Sequence, residues 1–251
     1  MFRFAKDSSL LLACHLTGTY DVNRRQTLPD DDYSLVKDWA SSIADAGLQG
    51  VLFHNNFSDA TCEKNQNAHL RFVRVAPAAT YNPNVARYFI YRDFIRQYGD
   101  LLSSFFVTDV TDVVLLRNPF AASFFKARPN MIFCGDESKC LDDAWMMDHS
   151  THLRSRIADF ADYEAHFSQA TLLNCGIFGG NRRLMQDFMH QLCLIHQQYN
   201  HDNRSAYTGD MGAFNYLVRT RFHEQVYHGA PVNTVFKGYE VDRQDCWFRH
   251  K

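Results

Sequence analysis

The sequence predicts an α/β fold with a mainly parallel, doubly wound central sheet flanked by helices. Apolar runs of strand length alternate with segments of helical periodicity, and this alternation is typical of a parallel sheet with crossover helices. The length of 251 residues suits one large hydrophobic core. The sequence contains no internal repeat, low-complexity tract or linker rich in proline, glycine and serine. We therefore expect a single domain over residues 1–251.

The first part of the chain contributes three predicted strands and two predicted helices. The first strand is a continuous apolar run, as expected for a strand buried on both faces of a parallel sheet. The first helix carries Leu35, Trp39 and Ile43 on one face and is followed by Gly47, a common residue just past a helix end. The strands are expected at 9–15, 50–54 and 71–75, and the helices at 33–46 and 84–98.

The remainder of the chain continues the alternation less regularly. A long apolar stretch over 103–116 is interrupted by Asp109 and Asp112. Residues 136–170 hold many charged residues and histidines, so we predict a loop-rich insertion with some helix there. The tail from Val226 is predicted to be irregular. Further strands are expected at 131–134 and 172–178, and further helices at 182–199 and 210–219.

Composition excludes several classes of function. The 26 Lys and Arg residues are balanced by 28 Asp and Glu residues, so no basic stripe for nucleic acid and no polybasic membrane-binding surface is expected. The sequence lacks an apolar run of the ~20 residues that cross a bilayer, so no transmembrane segment is expected. Seven scattered cysteines without a Cys-x-x-Cys pair indicate reduced thiols and a cytoplasmic protein.

Two carboxylates interrupt the apolar stretch over 103–116. An unpaired buried charge is costly, so a cation must balance Asp109 and Asp112 if they lie within a strand. A divalent metal bound to a diphosphate would do so, because Mg²⁺ and Mn²⁺ prefer carboxylate and phosphate oxygens. The alternative is that the strand ends there and both residues lie in a turn before Asn118 and Pro119.

The run from Asp112 to Phe120 resembles the stretch around the Asp-x-Asp motif of glycosyltransferases with the nucleotide-diphosphosugar (GT-A) fold. The resemblance implies that Asp112 is a direct metal ligand. The first Asp of the motif is expected at Val110 but stands at 109, which makes the spacing Asp-x-x-Asp. A bulge would restore the geometry; otherwise the resemblance implies that Asp109 holds the donor ribose or a metal-bound water.

Two further segments resemble the same family. The strand over 172–180 is similar to the Asn-x-Gly strand that lines the donor-sugar pocket, which implies donor binding by Asn174 and Gly176. Its Gly179-Gly180 pair could equally form a tight strand-to-helix turn that requires positive φ. The segment 208–217 is similar to the helix start whose acidic residue faces the reacting sugar, which implies a catalytic role for Asp210. The structural alternative is an ordinary helix N-cap.

The resemblance also implies roles at the two ends of the chain. A C-terminal histidine completes the metal shell in related enzymes and a Gly-Lys segment grips the diphosphate, so His228 is a candidate metal ligand and Lys237 a candidate donor-binding residue. The loop after the first strand contacts the nucleotide in this fold, which makes Thr17 and Gly18 donor-site candidates. Arg87, on the helix before the acidic strand, is placed to reach the nucleotide.

These matches imply a hexosyltransferase or related glycosyltransferase of polysaccharide biosynthesis. Residues 1–120 would form the donor-nucleotide half and residues 121–251 the sugar and acceptor half. The donor would be a nucleoside diphosphate sugar, with uridine the expected nucleoside, the cofactor Mn²⁺ or Mg²⁺, and the acceptor a glycan or lipid-linked glycan.

Alternative functions also fit parts of the pattern. The run from Asp109 to Val113 loosely resembles the nucleophile loop of metal-dependent phosphosugar hydrolases, although that loop normally follows the first strand. A sugar-nucleotide or glycan-binding module without catalysis would explain the altered Asp spacing. A histidine pair, His149 and His152, has helical i, i+3 spacing but no evident third metal ligand, so a solvated polar face is favoured there.

Overall fold

The computed structural model describes residues 4–18, 20–21, 26–77, 80–201, 209–241 and 243–251. Within these ranges the strands are, in chain order, β1 (Ser8–His15), β2 (Tyr20–Asp21), β3 (Gln26–Thr27), β4 (Gln49–His54), β5 (Leu70–Arg74), β6 (Leu102–Thr108), β7 (Val113–Leu115), β8 (Ile132–Cys140), β9 (Thr171–Asn181), β10 (Val226–His228) and β11 (Phe248–His250). The α-helices are α1 (Ser34–Asp45), α2 (Asp59–Asn65), α3 (Pro83–Tyr98), α4 (Ser123–Lys126), α5 (Ala144–His149), α6 (Thr151–Arg154), α7 (Phe160–His166), α8 (Arg182–Tyr199) and α9 (Asp210–Arg221). Short 3₁₀ turns lie at Gly99–Leu101, Pro119–Ala121 and His223–Gln225.

Seven strands form one mixed sheet in the order β10-β8-β9-β6-β1-β4-β5. Strand β9 is antiparallel to both of its neighbours, β6 and β8, whereas the other neighbouring pairs are parallel. Two small ribbons accompany this sheet: β7 pairs antiparallel with β11, and β2 pairs antiparallel with β3. The predicted α/β class with a mainly parallel sheet flanked by helices is therefore confirmed.

Both faces of the sheet are covered. Along β1, Leu10 and Leu12 pack into one hydrophobic cluster together with residues of α3, α8 and α9, while Leu11 and Ala13 pack into a second cluster with residues of α1. Successive side chains of a strand point to opposite faces, so a strand buried on both faces must be apolar throughout. This explains why β1 shows a continuous apolar run in the sequence.

Several elements differ from the sequence prediction. The apolar stretch over 103–116 is two strands, because β7 leaves the sheet to pair with β11. Residues 136–170 begin with the end of β8 and continue into α5, α6 and α7. Helix α2 was not predicted, and the predicted irregular tail contains β10 and β11. Among the described residues, no helix has the length and apolar character needed to cross a bilayer.

The Gly179-Gly180 pair lies inside β9 and not in a turn. These glycines pair with Phe106 and Phe105 of β6, and an added Cβ at Gly179 would lie 2.4 Å from the Phe105 carbonyl oxygen and from the Phe106 ring. Close packing between two strands therefore requires the glycine. The alternative that these residues form a positive-φ turn is wrong.

Candidate functional site

The strand order of the sheet reverses at β1 and β6. From β1 the chain builds outward through β4 and β5 on one side, and from β6 the sheet continues through β9 and β8 on the other. Ligands of open α/β sheets bind beyond the carboxyl ends of the strands at such a switch point. A cavity of about 740 Å³ opens there. Its lining includes seven of the residues singled out in the sequence: Arg87, Asp109, Asp112, Asn174, Gly176, Asp210 and Lys237.

Two carboxylates and one imidazole converge in this cavity. Asp109, Asp112 and His250 each offer a ligand atom, and these atoms lie within 4.8 Å of one another. Asp109 follows the end of β6, where its backbone amide donates to the Gly176 carbonyl oxygen at 2.7 Å. Residues 110–112 form a bend before β7, so the additional residue between the two carboxylates lies in that bend.

His250 reaches the carboxylates through the ribbon of β7 and β11. Pairing places His250 opposite Val113, and the Lys251 amide donates to the Asp112 carbonyl oxygen at 2.9 Å. The histidine is 2% exposed, and its Nδ1 has no hydrogen-bond partner among the described residues. Burial lowers the pKa of His250 to about 4, so its imidazole is neutral at pH 7. Neutral imidazole is the form that ligates metal ions.

Gly176 allows these three groups to approach one another. An added Cβ would lie 2.7 Å from Asp109 Oδ2, 2.7 Å from His250 Cε1 and 2.9 Å from Asn174 Oδ1. Any side chain at this position would push the carboxylate and the imidazole apart. The glycine predicted to line a sugar pocket is thus directly in contact with the carboxylate–imidazole cluster.

Arg87 links the cluster to the second acidic group of the cavity. Its Nη1 donates to Asp109 Oδ1, and its Nη2 lies 3.4 Å from Asp210 Oδ2. The Nε group donates to the Asn84 carbonyl oxygen at 2.9 Å. The arginine is buried. This geometry makes Arg87 a residue that positions two carboxylates; its predicted contact with the nucleotide stays a prediction.

Asp210 is the first residue of α9 and is buried. The N-cap of the helix is Gly209, with a φ of +67°, so the interpretation of Asp210 as the N-cap is wrong. Its Oδ1 accepts from Nε2 of His149 at 3.0 Å, in addition to the Arg87 contact. A carboxylate in the first turn of a helix is also stabilised by the helix dipole. Thr208, which precedes this helix in the matched segment, lies outside the described residues.

The contact with His149 was missed from the sequence. The spacing of His149 and His152 suggested a solvated face, but His149 is 5% exposed and lines the cavity. The imidazole stacks on the Trp145 indole, with ring centroids 4.5 Å apart and planes at 20°. Only the packing of α5 against α9 brings His149 to Asp210, and a six-residue helix carries no sequence signal for that packing.

Asn174 and Lys237 lie at different depths in the cavity. The Asn174 amide donates to Glu137 Oε1 at 2.8 Å, and its oxygen accepts from the Gly176 amide at 2.7 Å. Burial raises the pKa of Glu137 above its ordinary value. Lys237 is exposed, with its ammonium 5.1 Å from the Phe236 ring centroid. Asn174 therefore shapes the cavity wall, and Lys237 offers an exposed positive charge at the rim.

Three predicted site residues are not among the described residues that line the cavity. Thr17 is buried, and its hydroxyl donates to Asp30 Oδ1 at 2.6 Å. Gly18 has a φ of +83° and occupies the turn after β1. His228 lies 2.9 Å from Asp136 through its Nδ1, away from Asp109 and Asp112. After β1, the cavity is instead lined by His15 and Leu16.

Comparison with known proteins identifies no family for this chain. No protein-family model matches the chain, and no curated protein matches it either. Inferences about function therefore depend on the geometry of the cavity and on the sequence segments that line it.

Proposed function

We propose that the chain is a metal-assisted glycosyltransferase. It would move a sugar from a nucleoside diphosphate sugar, with uridine diphosphate the expected carrier, to a hydroxyl of a glycan or glycolipid acceptor. The observation that carries this proposal is the convergence of Asp109, Asp112 and His250 in the cavity that also holds Asp210. The first three side chains suit a divalent cation. Asp210 suits the positive charge that develops on the reacting sugar.

The donor set of the first group fits a hard or borderline cation. Carboxylate oxygens suit Mg²⁺ and Mn²⁺, and an imidazole nitrogen suits divalent transition metals such as Fe²⁺ and Zn²⁺. His250 is buried and neutral, with Nδ1 unpaired among the described residues, as a ligand requires. When bound, the cation would neutralise the charge that develops on the leaving diphosphate. Asp109, Asp112 and His250 are the residues that would hold it.

Asp210 and its partners suit the reacting sugar. A glycosyl-transfer transition state resembles an oxocarbenium ion, and an oriented carboxylate stabilises the positive charge of that state. The bonds from His149 and Arg87 hold Asp210 in one orientation. A carboxylate so engaged is better suited to electrostatic stabilisation than to removing a proton. The geometry therefore favours electrostatic stabilisation of the transition state, rather than removal of a proton, as the role of Asp210.

The cavity has the size and charge for such a donor. A volume of about 740 Å³ falls within the range of ~300–1,000 Å³ typical of small-molecule sites. Lys237 contributes a positively charged side chain to its lining, and this would attract a diphosphate. The side near β1, with His15 and Leu16, would receive the nucleoside, and the side near β8 and β9 would receive the sugar.

A thermal-shift experiment tests the proposal directly. Uridine diphosphate with Mn²⁺ should raise the melting temperature more than either component alone, because both bind the native state at one site. Incubation with nucleoside diphosphate sugars should release nucleoside diphosphate when an acceptor glycan is present, and chelation should stop the release. The absence of stabilisation by every nucleoside diphosphate tested with Mn²⁺ would reject the proposal. Release of inorganic phosphate from sugar phosphates would instead favour a phosphohydrolase, and binding without turnover a binding module.

A further inference from the structure

Exposed aromatic side chains are concentrated at the mouth of the cavity. Among the described residues, six large hydrophobic side chains are exposed. Three of these, Tyr20, Trp145 and Tyr239, line the cavity and come from three separate segments of the chain. Exposed apolar groups gathered at one place on a surface indicate a binding site more often than scattered ones do. The rim of the cavity is therefore suited to a ligand that has an apolar face.

Trp145 differs from the other two because its ring is held in place. One indole face stacks on His149, with ring centroids 4.5 Å apart, and Asp210 fixes that imidazole by a 3.0 Å hydrogen bond. The Trp145 backbone amide donates to Asp143 Oδ1 at 3.1 Å, where α5 begins. The side chain nevertheless remains 38% exposed. A rigid aromatic ring with an open surface binds a flat partner at little entropic cost.

We infer that Trp145 is the stacking platform for a pyranose ring of the acceptor glycan, an inference that rests on the proposed glycosyltransferase function. A pyranose has an apolar C–H face and a rim of hydroxyl groups. The indole would stack on the apolar face of the sugar. Glu137 and Lys139, which also line the cavity, would hydrogen-bond to hydroxyl groups at the edge of the sugar ring.

The position of Trp145 favours the acceptor over the nucleobase. Trp145 follows β8, whereas the side of the cavity suited to the nucleoside follows β1, and β9 and β6 separate these two strands in the sheet. The ring is joined to Asp210 through His149. A sugar stacked on the open face of the indole would lie on the side away from His149, at the rim of the cavity that holds Asp210. The Asp210–His149–Trp145 stack would set the acceptor's position relative to the reacting centre.

Fluorescence quenching by acrylamide tests the platform without donor or metal. The chain has three tryptophans, and Trp39 and Trp247 are 1% and 3% exposed, so acrylamide reaches Trp145 selectively. The probes are the methyl pyranosides of glucose, galactose, mannose and N-acetylglucosamine, each at tens of millimolar, with uridine as the competing ligand. At least one pyranoside should reduce the quenching of the native protein towards the low level of Trp145→Phe, which retains only the two buried indoles.

Calorimetry of the protecting pyranoside supplies the second readout. Trp145→Ala should weaken its binding about tenfold, equivalent to ~1.4 kcal/mol, and Trp145→Phe should restore part of the loss. Leu194→Ala, which removes an exposed apolar side chain of α8, is the matched control and should bind the sugar normally. Melting temperatures of all variants establish that they fold.

The inference is overturned if no pyranoside protects Trp145, if uridine alone protects it, or if Trp145→Ala binds the sugar as tightly as the native protein. The failure of the proposed function looks different. In that case Mn²⁺ and uridine diphosphate would not stabilise the protein, whereas protection of Trp145 by a pyranoside would persist and establish the platform on its own.

Discussion

The two acidic ends of the cavity differ in how their charge is balanced. At one end, the described contacts of Asp210 include a hydrogen bond from His149 and an ion pair with Arg87, both supplied by the protein. At the other end, Asp109 and Asp112 meet the neutral imidazole of His250. Arg87 serves this end as well, since its Nη1 contacts Asp109 while its Nη2 contacts Asp210. The difference teaches that Asp210 is held by two described protein partners, whereas two carboxylates with one neutral imidazole beside them form a set that suits a cation from solution.

Asp112→Asn should have the largest effect on activity. The amide keeps the size of the side chain but removes the negative charge that balances a divalent cation. Turnover should fall about a thousandfold, equivalent to ~4 kcal/mol of barrier, and chelation of the native protein should produce a similar loss. Nucleoside diphosphate release is the measurement.

Asp136→Asn is the matched control for this substitution, because Asp136 also contacts a histidine, His228, but does so away from the cluster. Its turnover should remain close to that of the native protein. An Asp112→Asn protein with native turnover would show that the cluster does not act on the leaving group.

Asp210→Asn should reduce turnover about a hundredfold, equivalent to ~2.7 kcal/mol. The protein should also lose stability, by up to ~3 kcal/mol, because Arg87 and His149 would lose a buried anionic partner. Turnover is therefore measured well below the melting temperature of the variant, and stabilisation by uridine diphosphate with Mn²⁺ serves as the control for an intact donor site. If turnover per folded molecule were unchanged, Asp210 would be a structural residue alone.

Two histidine substitutions distinguish the metal ligand predicted from the sequence, His228, from the candidate ligand found in the structure, His250. His250→Asn should weaken Mn²⁺ binding at least tenfold, about 1.4 kcal/mol, because a ligand is removed. His228→Asn should leave Mn²⁺ binding unchanged, since His228 contacts Asp136 at a different place. Calorimetric titration of Mn²⁺ into both variants decides the matter. The opposite result would identify His228, and not His250, as the metal ligand.

Gly176→Ala should lower the free energy of unfolding by about 1–3 kcal/mol, because the new methyl group collides with Asp109 and His250. Mn²⁺ binding should weaken as the ligands separate. Gly135→Ala is the matched control: an added Cβ at Gly135 meets its nearest atoms at 3.6–3.7 Å, which is ordinary contact. Denaturant unfolding measures both variants. Equal stability of the two alanine variants would show that the cluster tolerates a side chain between its ligands.

Local patterns in the sequence were sufficient to predict most of the main-sheet elements. Helix α8 occupies the predicted range 182–199, and β1 differs from its prediction by a single residue. Both elements carry a long, regular apolar pattern, which determines which faces are buried. Asp109 and Asp112 could be located for a similar reason, since charges stand out within an apolar stretch.

Residues brought to the site by distant pairing could not be predicted. His250 joins Asp112 only because β11 pairs with β7, and nothing local to either short strand specifies its partner. The resemblance pointed to a C-terminal histidine, but parallel pairing of β10 with β8 places His228 near the edge of the sheet. His149 depends on the packing of a six-residue helix. In each case the missing information is a long-range contact.

The ribbon of β7 and β11 has a consequence for the dynamics of the protein. Proteins open locally in cooperative units without unfolding as a whole, and β11 is held as one such segment by its pairing with β7 and by backbone hydrogen bonds to residues 232–237. Opening of this ribbon would carry His250 away from Asp112 while the seven-stranded sheet persists. A cation bound by both residues would oppose the opening by RT ln(1 + [L]/Kd). Amide hydrogen exchange over Phe248–His250 should therefore slow as Mn²⁺ concentration rises, while exchange in β1 stays constant.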